Sequence, residues 1–219
     1  GVAKKLTGTK VMAVVKGNAH GHGAVKASLA LEAHGADAFA VACMSEAIEL
    51  REAGIQAPIL VLGWTPAECA RQLADYGIAQ SVMDEDYALE LNEAAAAAGK
   101  VVDIHAKLDT GMSRTGIFAQ ENPAEAAQIV SRIANLPNLN IKGIFTHYAA
   151  ADMPEKDDFT AWQLSNYKAV LRALETLGFD KPVVHHTGNS ACILNHPETY
   201  FDMVRMGVMM YGLYPDGVF

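Results

Sequence analysis

Apolar and polar positions along this chain follow two alternating rhythms. Eight short runs rich in β-branched and other apolar residues recur from end to end: KVMAVVK (10–16), DAFAVA (37–42), PILVL (58–62), IAQSVM (78–83), VVDIHAK (101–107), LNIKGIF (139–145), PVVHHT (182–187) and MVRMGVMMYG (203–212). Between them lie longer segments with apolar positions at helical spacing, among them SEAIELREAG (45–54), PAECARQLADYG (66–77), DYALELNEAAAAAG (86–99) and DFTAWQLSNYKAVLRALETLG (158–178). Glycine follows the last apolar turn of several, at Gly35, Gly54, Gly77, Gly99 and Gly178, where a left-handed residue most easily ends a helix.

Alternating strand and helix units imply parallel strands joined by right-handed crossovers. Eight such units in 219 residues predict an α/β chain folded as a (β/α)8 barrel, one domain over residues 1–219, with its chemistry in the loops after the carboxyl ends of the strands. An open doubly wound sheet satisfies the same alternation. No Gly-x-Gly-x-x-Gly turn follows the first strand, which weighs against a dinucleotide-binding version, and no linker or low-complexity tract divides the chain.

Hydrophobic residues make up 51% and charged residues 19%, with a formal net charge of −8. That balance predicts an ample core and excludes a nucleic-acid partner, which needs clustered Lys and Arg. Three cysteines without CxxC spacing indicate neither a disulfide framework nor a structural zinc site, no metal is expected, and a reducing, cytoplasmic setting fits. No run of eighteen apolar residues and no basic-then-apolar amino-terminal pattern occurs, so a membrane contact is not expected.

Polar residues gather at the strand ends. Lys16 closes the first run, Lys107 the fifth with Arg114 seven residues later, His147 follows the sixth, Asn189 and Ser190 follow the seventh, and Arg205 sits inside the eighth. Taken singly, Lys16 reads as a solvated rim lysine, His147 as a satisfied loop histidine and Ser190 as a helix cap. Arg205, between Val204 and Met206, requires a buried acceptor. Together they suggest a lysine that loses hydration in a strand-end pocket and forms a Schiff base with a carbonyl. The GNAHGHG loop (17–23) and Gly207 allow close approach of a bulky, phosphorylated ligand. Lysine, phosphate site and buried arginine point to pyridoxal phosphate; a Schiff-base aldolase acting on sugar phosphates needs the same lysine and anion site.

VVKGNAHGHG (14–23) resembles the pyridoxal-phosphate signature of the alanine racemase family, usually AVVKANAYGHG. KLDTGMSRTG (107–116), FTHYAAAD (145–152), GNSA (188–191) and MVRMGVMMYGLYP (203–215) resemble further motifs of that family, in its order and near its spacing. The resemblance implies a pyridoxal 5'-phosphate-dependent isomerase that interconverts L- and D-alanine and so supplies a D-amino acid for cell-wall precursors. Serine racemase of the same family, or a cofactor-binding barrel with little racemase activity, are the alternatives.

By the same resemblance, Lys16 would carry the cofactor and then act as acid or base on one face of Cα. Arg205 would donate to the pyridine nitrogen, with His147 hydrogen-bonded toward it. Ser190 and the backbone N–H groups of Gly207 and Val208 would bind the phosphate, beside Asn189 and His20. Arg114 would meet the phenolic oxygen and the substrate carboxylate, and Lys107 matches a lysine that many members carry as a carbamate. The substrate would be a small amino acid and the assembly a homodimer.

Three positions depart from the family. His20 stands for tyrosine, which makes the charge at that contact depend on pH near neutrality; Gly17 stands for alanine, and Ser113 for a common glycine. Complete members carry an amino-terminal lead-in and a carboxy-terminal β-domain, whose tyrosine serves the second face of Cα in the other subunit. The resemblance implies that both segments are missing here, in a minimal version or a piece of a longer protein, and Tyr148 and Tyr211 are expected to be packing residues rather than a replacement.

Overall fold

All eight apolar runs become strands, because each can bury both faces between helices and a filled interior. They are β1 (Lys10–Val14), β2 (Ala38–Val41), β3 (Ile59–Val61), β4 (Ile78–Val82), β5 (Val102–Asp109), β6 (Leu139–Phe145), β7 (Val184–His186) and β8 (Met203–Met206). This computed structural model describes residues 2–213; Tyr214 and Pro215 of the last motif, and the ends of the expected 1–219 domain, lie outside the described residues.

Each strand pairs in parallel with the next, and β8 pairs with β1 through Lys10–Met203, Val11–Val204, Met12–Arg205 and Ala13–Met206. The sheet therefore closes into a (β/α)8 barrel, and the open doubly wound alternative is ruled out. A two-residue strand, Ile117–Phe118, lies on Leu108 and Asp109. The fifth strand thus runs past Lys107, which had been expected to close it.

The crossovers are α1 (Ala24–Ala33), α2 (Met44–Glu52), α3 (Ala70–Asp75), α4 (Glu85–Ala98), α5 (Pro123–Ala134), α6 (Asp157–Thr176) and α7 (Ser190–Asn195). Local chemistry sets their ends. Asp84 caps α4 by accepting from Tyr87 N, and Asn122 caps α5 ahead of Pro123 by accepting from Glu125 N. Gly35, Gly54, Gly77, Gly99 and Gly178 all follow helices with positive φ, as their positions predicted. Buried positions 126, 127, 130, 133 and 134 of α5 give one apolar stripe toward the sheet.

The main core lies between strands and helices, and a smaller cluster of Met12, Ala38, Ala40, Leu60, Phe145 and Met203 fills the barrel. Side chains alternate along a strand, so residues two positions beyond Met12, Val184 and Met203 face the same interior one layer higher. Those residues are Val14, His186 and Arg205. Among the described residues, the three cysteines are free and no helix is long and apolar enough to cross a membrane.

Candidate active site

At the carboxyl ends of the strands the barrel opens into a cavity of about 670 Å³. Its lining includes all ten residues that the sequence singles out: Lys16, His20, Lys107, Arg114, His147, Asn189, Ser190, Arg205, Gly207 and Val208. Four of them are cations, Lys16, Lys107, Arg114 and Arg205, against one lining carboxylate, Asp152. In a chain of net charge −8 this is a local inversion of sign that favours an anionic ligand.

Lys16 follows β1 and starts a single turn of left-handed helix, where the sequence predicted only a loop. Gly17, Asn18 and Ala19 have φ of 63°, 53° and 53° with ψ near 46°, and His20 has φ 53°. The N–H of Ala19 donates to Val15 O (2.8 Å), that of Gly21 to Gly17 O (3.1 Å), and the N–H of Ala24 to Asn18 Oδ1 (2.8 Å). Left-handed backbone costs about 1–2 kcal/mol per L-residue, and three consecutive non-glycine residues accept it here. Gly17, where the family usually has alanine, avoids that cost at the fourth position. The turn turns Lys16 and His20 to the cavity and buries Ala19.

Arg205 forms the cavity floor and is 4% exposed. Its Nη1 donates to His186 O (2.6 Å) and its Nη2 to Thr146 O (2.7 Å) and Thr187 O (3.1 Å). Nη1 also lies 3.2 Å from His186 Nδ1, and Nη2 3.2 Å from His147 Nδ1. Among the described residues no carboxylate pairs with it. Burial lowers its pKa to about 10, which still leaves it charged at neutral pH. Nε has no protein partner among the hydrogen bonds of the described residues.

An arginine can only donate, so the Nδ1 atoms facing it accept, and each imidazole carries its proton on Nε2. His186 Nε2 then donates to His105 Nδ1 (2.8 Å). Burial first, and then the charge of Arg205, pushes His147 down to about 3, and His105 to about 4. His186 falls well below its usual range through burial, with His105 and Arg205 adding to it. Neutral imidazoles thus line the floor. His147 accepts from Arg205 at Nδ1 and keeps its proton on Nε2, so it is not an imidazolium acid at neutral pH.

The KLDTGMSRTG segment bends over the opposite wall. Asp109 Oδ1 accepts from Gly111 N (3.1 Å) and Ser113 N (2.9 Å), which folds the loop back and presents Arg114 at the mouth. Ser113 has φ 54°, which gives a physical reason for glycine at this position in the family. Lys107 is buried and donates to Thr115 Oγ1. Burial, then Arg114 and Arg205, lowers its pKa to about 8.

On the third side Ser190 begins α7. It is not the cap that its sequence position suggested: Asn189 caps the helix by accepting from Cys192 N (3.1 Å), and its Nδ2 lies 3.4 Å from Tyr148 O. Ser190 Oγ instead accepts from Gly207 N (3.0 Å) and Met209 N (3.4 Å), which ties α7 to the turn after β8. The Val208 N–H has no protein acceptor among the described residues. Tyr211 donates to Val14 O (2.9 Å), and its ring packs on His20 and His22 at 4.8 and 4.9 Å. Tyr148 is buried with its hydroxyl 3.3 Å from Thr187 Oγ1.

His105, His186 and Thr146 were not singled out by the sequence. One signal was available: Gly143 sits inside a strand, and a Cβ there would lie 2.3 Å from His105 Nδ1. A glycine interrupting an apolar strand marks such a close approach.

The family described as alanine racemase, N-terminal domain, matches residues 2–215. The chain is 42% identical over 214 residues to alanine racemase of Methanococcus maripaludis, covering 97% of this chain and 56% of that protein. It is 43% identical over 213 residues to that of Clostridium perfringens, covering 97% and 54%. Among solved structures it is similar to alanine racemase of Clostridium difficile 630 in complex with cycloserine, with a TM-score of 0.91 and 36% identity over 99% of this chain and 58% of that one. The enzyme of Bacillus anthracis with bound L-Ala-P gives 0.86 and 34%, over 99% and 55%. The chain spans little more than half the length of the relatives it matches.

Proposed function

The chain belongs to the alanine racemase family, matching its N-terminal domain, and on that premise we propose that it binds pyridoxal 5'-phosphate on Lys16 and serves the interconversion of L- and D-alanine. The observation that carries this is the gathering of four cations around one cavity in an acidic chain. An anionic cofactor and the substrate's carboxylate suit that field. The alanine racemases among its relatives favour alanine over serine as substrate.

When bound, the cofactor supplies an electron sink for the pair left on Cα as its proton leaves. Lys16 Nζ would hold the cofactor through its aldehyde and would take or return the proton on one face of Cα. Arg205, whose Nε–H has no partner among the described residues, would be the residue to meet the ring nitrogen; a permanent cation there would donate and not accept. Ser190 Oγ and the Val208 N–H would hold the phosphate, next to the Gly207 N–H that Ser190 now accepts from, with His20 lining the same cavity. Asn189 acts through its cap, by fixing the start of α7. Arg114 holds the substrate carboxylate.

Lys107, with its pKa near 8, offers a neutral amine fraction that can add to carbon dioxide and release a proton, leaving a carbamate between Arg114 and Arg205. Intact-mass measurement under bicarbonate, with Lys107→Arg as the blank, tests that step.

A second reading, cofactor binding with little inversion, has its own support. Racemisation needs a proton donor on the second face, and the nearby candidates are committed: His147 is neutral and bonded to Arg205, and burial pushes the Tyr148 hydroxyl far above neutrality. The deciding experiment is L- to D-alanine conversion by the purified chain with pyridoxal phosphate, together with borohydride trapping on Lys16. Inversion above cofactor alone supports the first reading, trapping without inversion the second. Lys16→Ala is expected to abolish trapping at that position and the visible band of the bound cofactor; an unchanged band sinks both.

A further inference from the structure

We propose that Glu46 is a positioning residue for Lys16, holding the left-handed turn through two backbone N–H groups. The inference rests on the proposed role of Lys16 and deepens it. Glu46 sits in the first turn of α2, is not itself among the cavity-lining residues, and its carboxylate meets no cation among the ion pairs of the described residues. Its Oε1 accepts from Gly17 N at 2.6 Å and its Oε2 from Ala42 N at 2.7 Å. Those are the short lengths of charge-assisted bonds.

The two donors are significant. Ala42 follows the last residue of β2, and Gly17 N is the amide on the carboxyl side of Lys16, so one carboxylate clasps the ends of two neighbouring strands. The peptide on the other side of Lys16 is held at Val15 O by Ala19 N, and Val15 N is held by Ala40 O (2.9 Å). Both peptide planes that flank Lys16 are therefore fixed, the second of them by Glu46 at its N–H. A chain that must enter the left-handed region directly after its reactive lysine has little local preference for doing so. An acceptor imported from the next βα unit supplies that preference.

A glutamine has one acceptor oxygen in place of two, and alanine has none. With pyridoxal phosphate added, borohydride-trapped label on Lys16 is expected to accumulate about tenfold more slowly in Glu46→Ala, and by a smaller factor in Glu46→Gln. Glu49→Gln, one turn further on α2 and exposed, is expected to behave as the unmutated chain. Amide exchange at Gly17 and Ala42 in the cofactor-free chain is expected to accelerate in the same order, by about tenfold for alanine. If the unmutated chain takes no label on Lys16, the proposed function fails, while the exchange order still decides for or against Glu46 as the hold on this turn. Unchanged labelling in both variants overturns the positioning role, whether or not exchange or thermal stability changes. Should Glu46→Ala not fold, Glu46→Gln carries the test alone: slower labelling with a normal melting temperature supports positioning, and normal labelling overturns it.

Discussion

Two arginines clamp backbone carbonyls at opposite ends of the barrel, and they spend their donors differently. Arg51, on α2, closes the end where helices lead into strands: Nε donates to Tyr76 O, Nη1 to Ile55 O and Ala57 O, and Nη2 to Gly77 O. Every nitrogen is used on the turns entering β3 and β4. Arg205, at the other end, lines the cavity and binds three carbonyls and two imidazoles through Nη1 and Nη2, leaving Nε without a partner among the described residues. The same side chain is a strut in one place and, with one donor held back, a candidate ligand in the other.

The turns differ in the same sense. At the helix-to-strand end the left-handed positions are mostly glycine, with Phe201 an exception, whereas around the cavity Asn18, Ala19, His20 and Ser113 hold positive φ. Strain is accepted where the backbone must aim side chains and avoided where it only reverses direction.

The largest expected effect comes from removing the buried clamp. Arg205→Met leaves three carbonyls without their donor and is expected to cost about 3–5 kcal/mol in urea unfolding. A loss below about 1 kcal/mol would mean that the carbonyls find other partners. Arg51→Ala is expected to cost about 1–3 kcal/mol, because water can reach its carbonyls, while cofactor affinity stays unchanged. A matching loss of affinity would break the distinction between strut and ligand.

Next in size is the pH response of the cavity floor. His105 and His147 hold folded values of about 4 and about 3, below the ordinary 6.5. The unfolded chain takes up these protons first, so stability present above pH 6.5 is expected to fall as the pH drops toward 4. Urea midpoints at pH 7.5, 6 and 5 measure the slope, and His105→Gln is expected to flatten it. An equal slope in that variant would place the response elsewhere.

Smallest and opposite in sign are two backbone changes. Ser113→Gly is expected to stabilise the chain by about 0.5–1 kcal/mol, and Gly77→Ala, at φ 59° with no atom near its missing Cβ, to destabilise it by about 1 kcal/mol. Melting temperatures of the two variants decide whether strain is confined to the cavity end.

The order of eight parallel strands, the helix stops at glycine and the cations at the strand ends were all legible along the chain. Each depends on short-range chemistry: alternation of side chains, caps within one turn, and glycine's freedom at positive φ. What the sequence could not display were contacts that exist only after the barrel closes. His105 meets His186 across 81 positions, and Arg205 meets Thr146 O across 59. Such partners decide which arginine donor stays free, which imidazoles remain neutral, and that Asn189 rather than Ser190 caps α7. The left-handed turn after Lys16 belongs to the same group, since local preference opposes it and the acceptor at Gly17 N comes from the neighbouring βα unit. Periodicity therefore determined the eight βα units and the residues at the strand ends, and only the tertiary structure, through the pairing of β8 with β1, burial and long-range hydrogen bonds, decided for a closed barrel over an open sheet and set the protonation and hydrogen-bond partners of those residues.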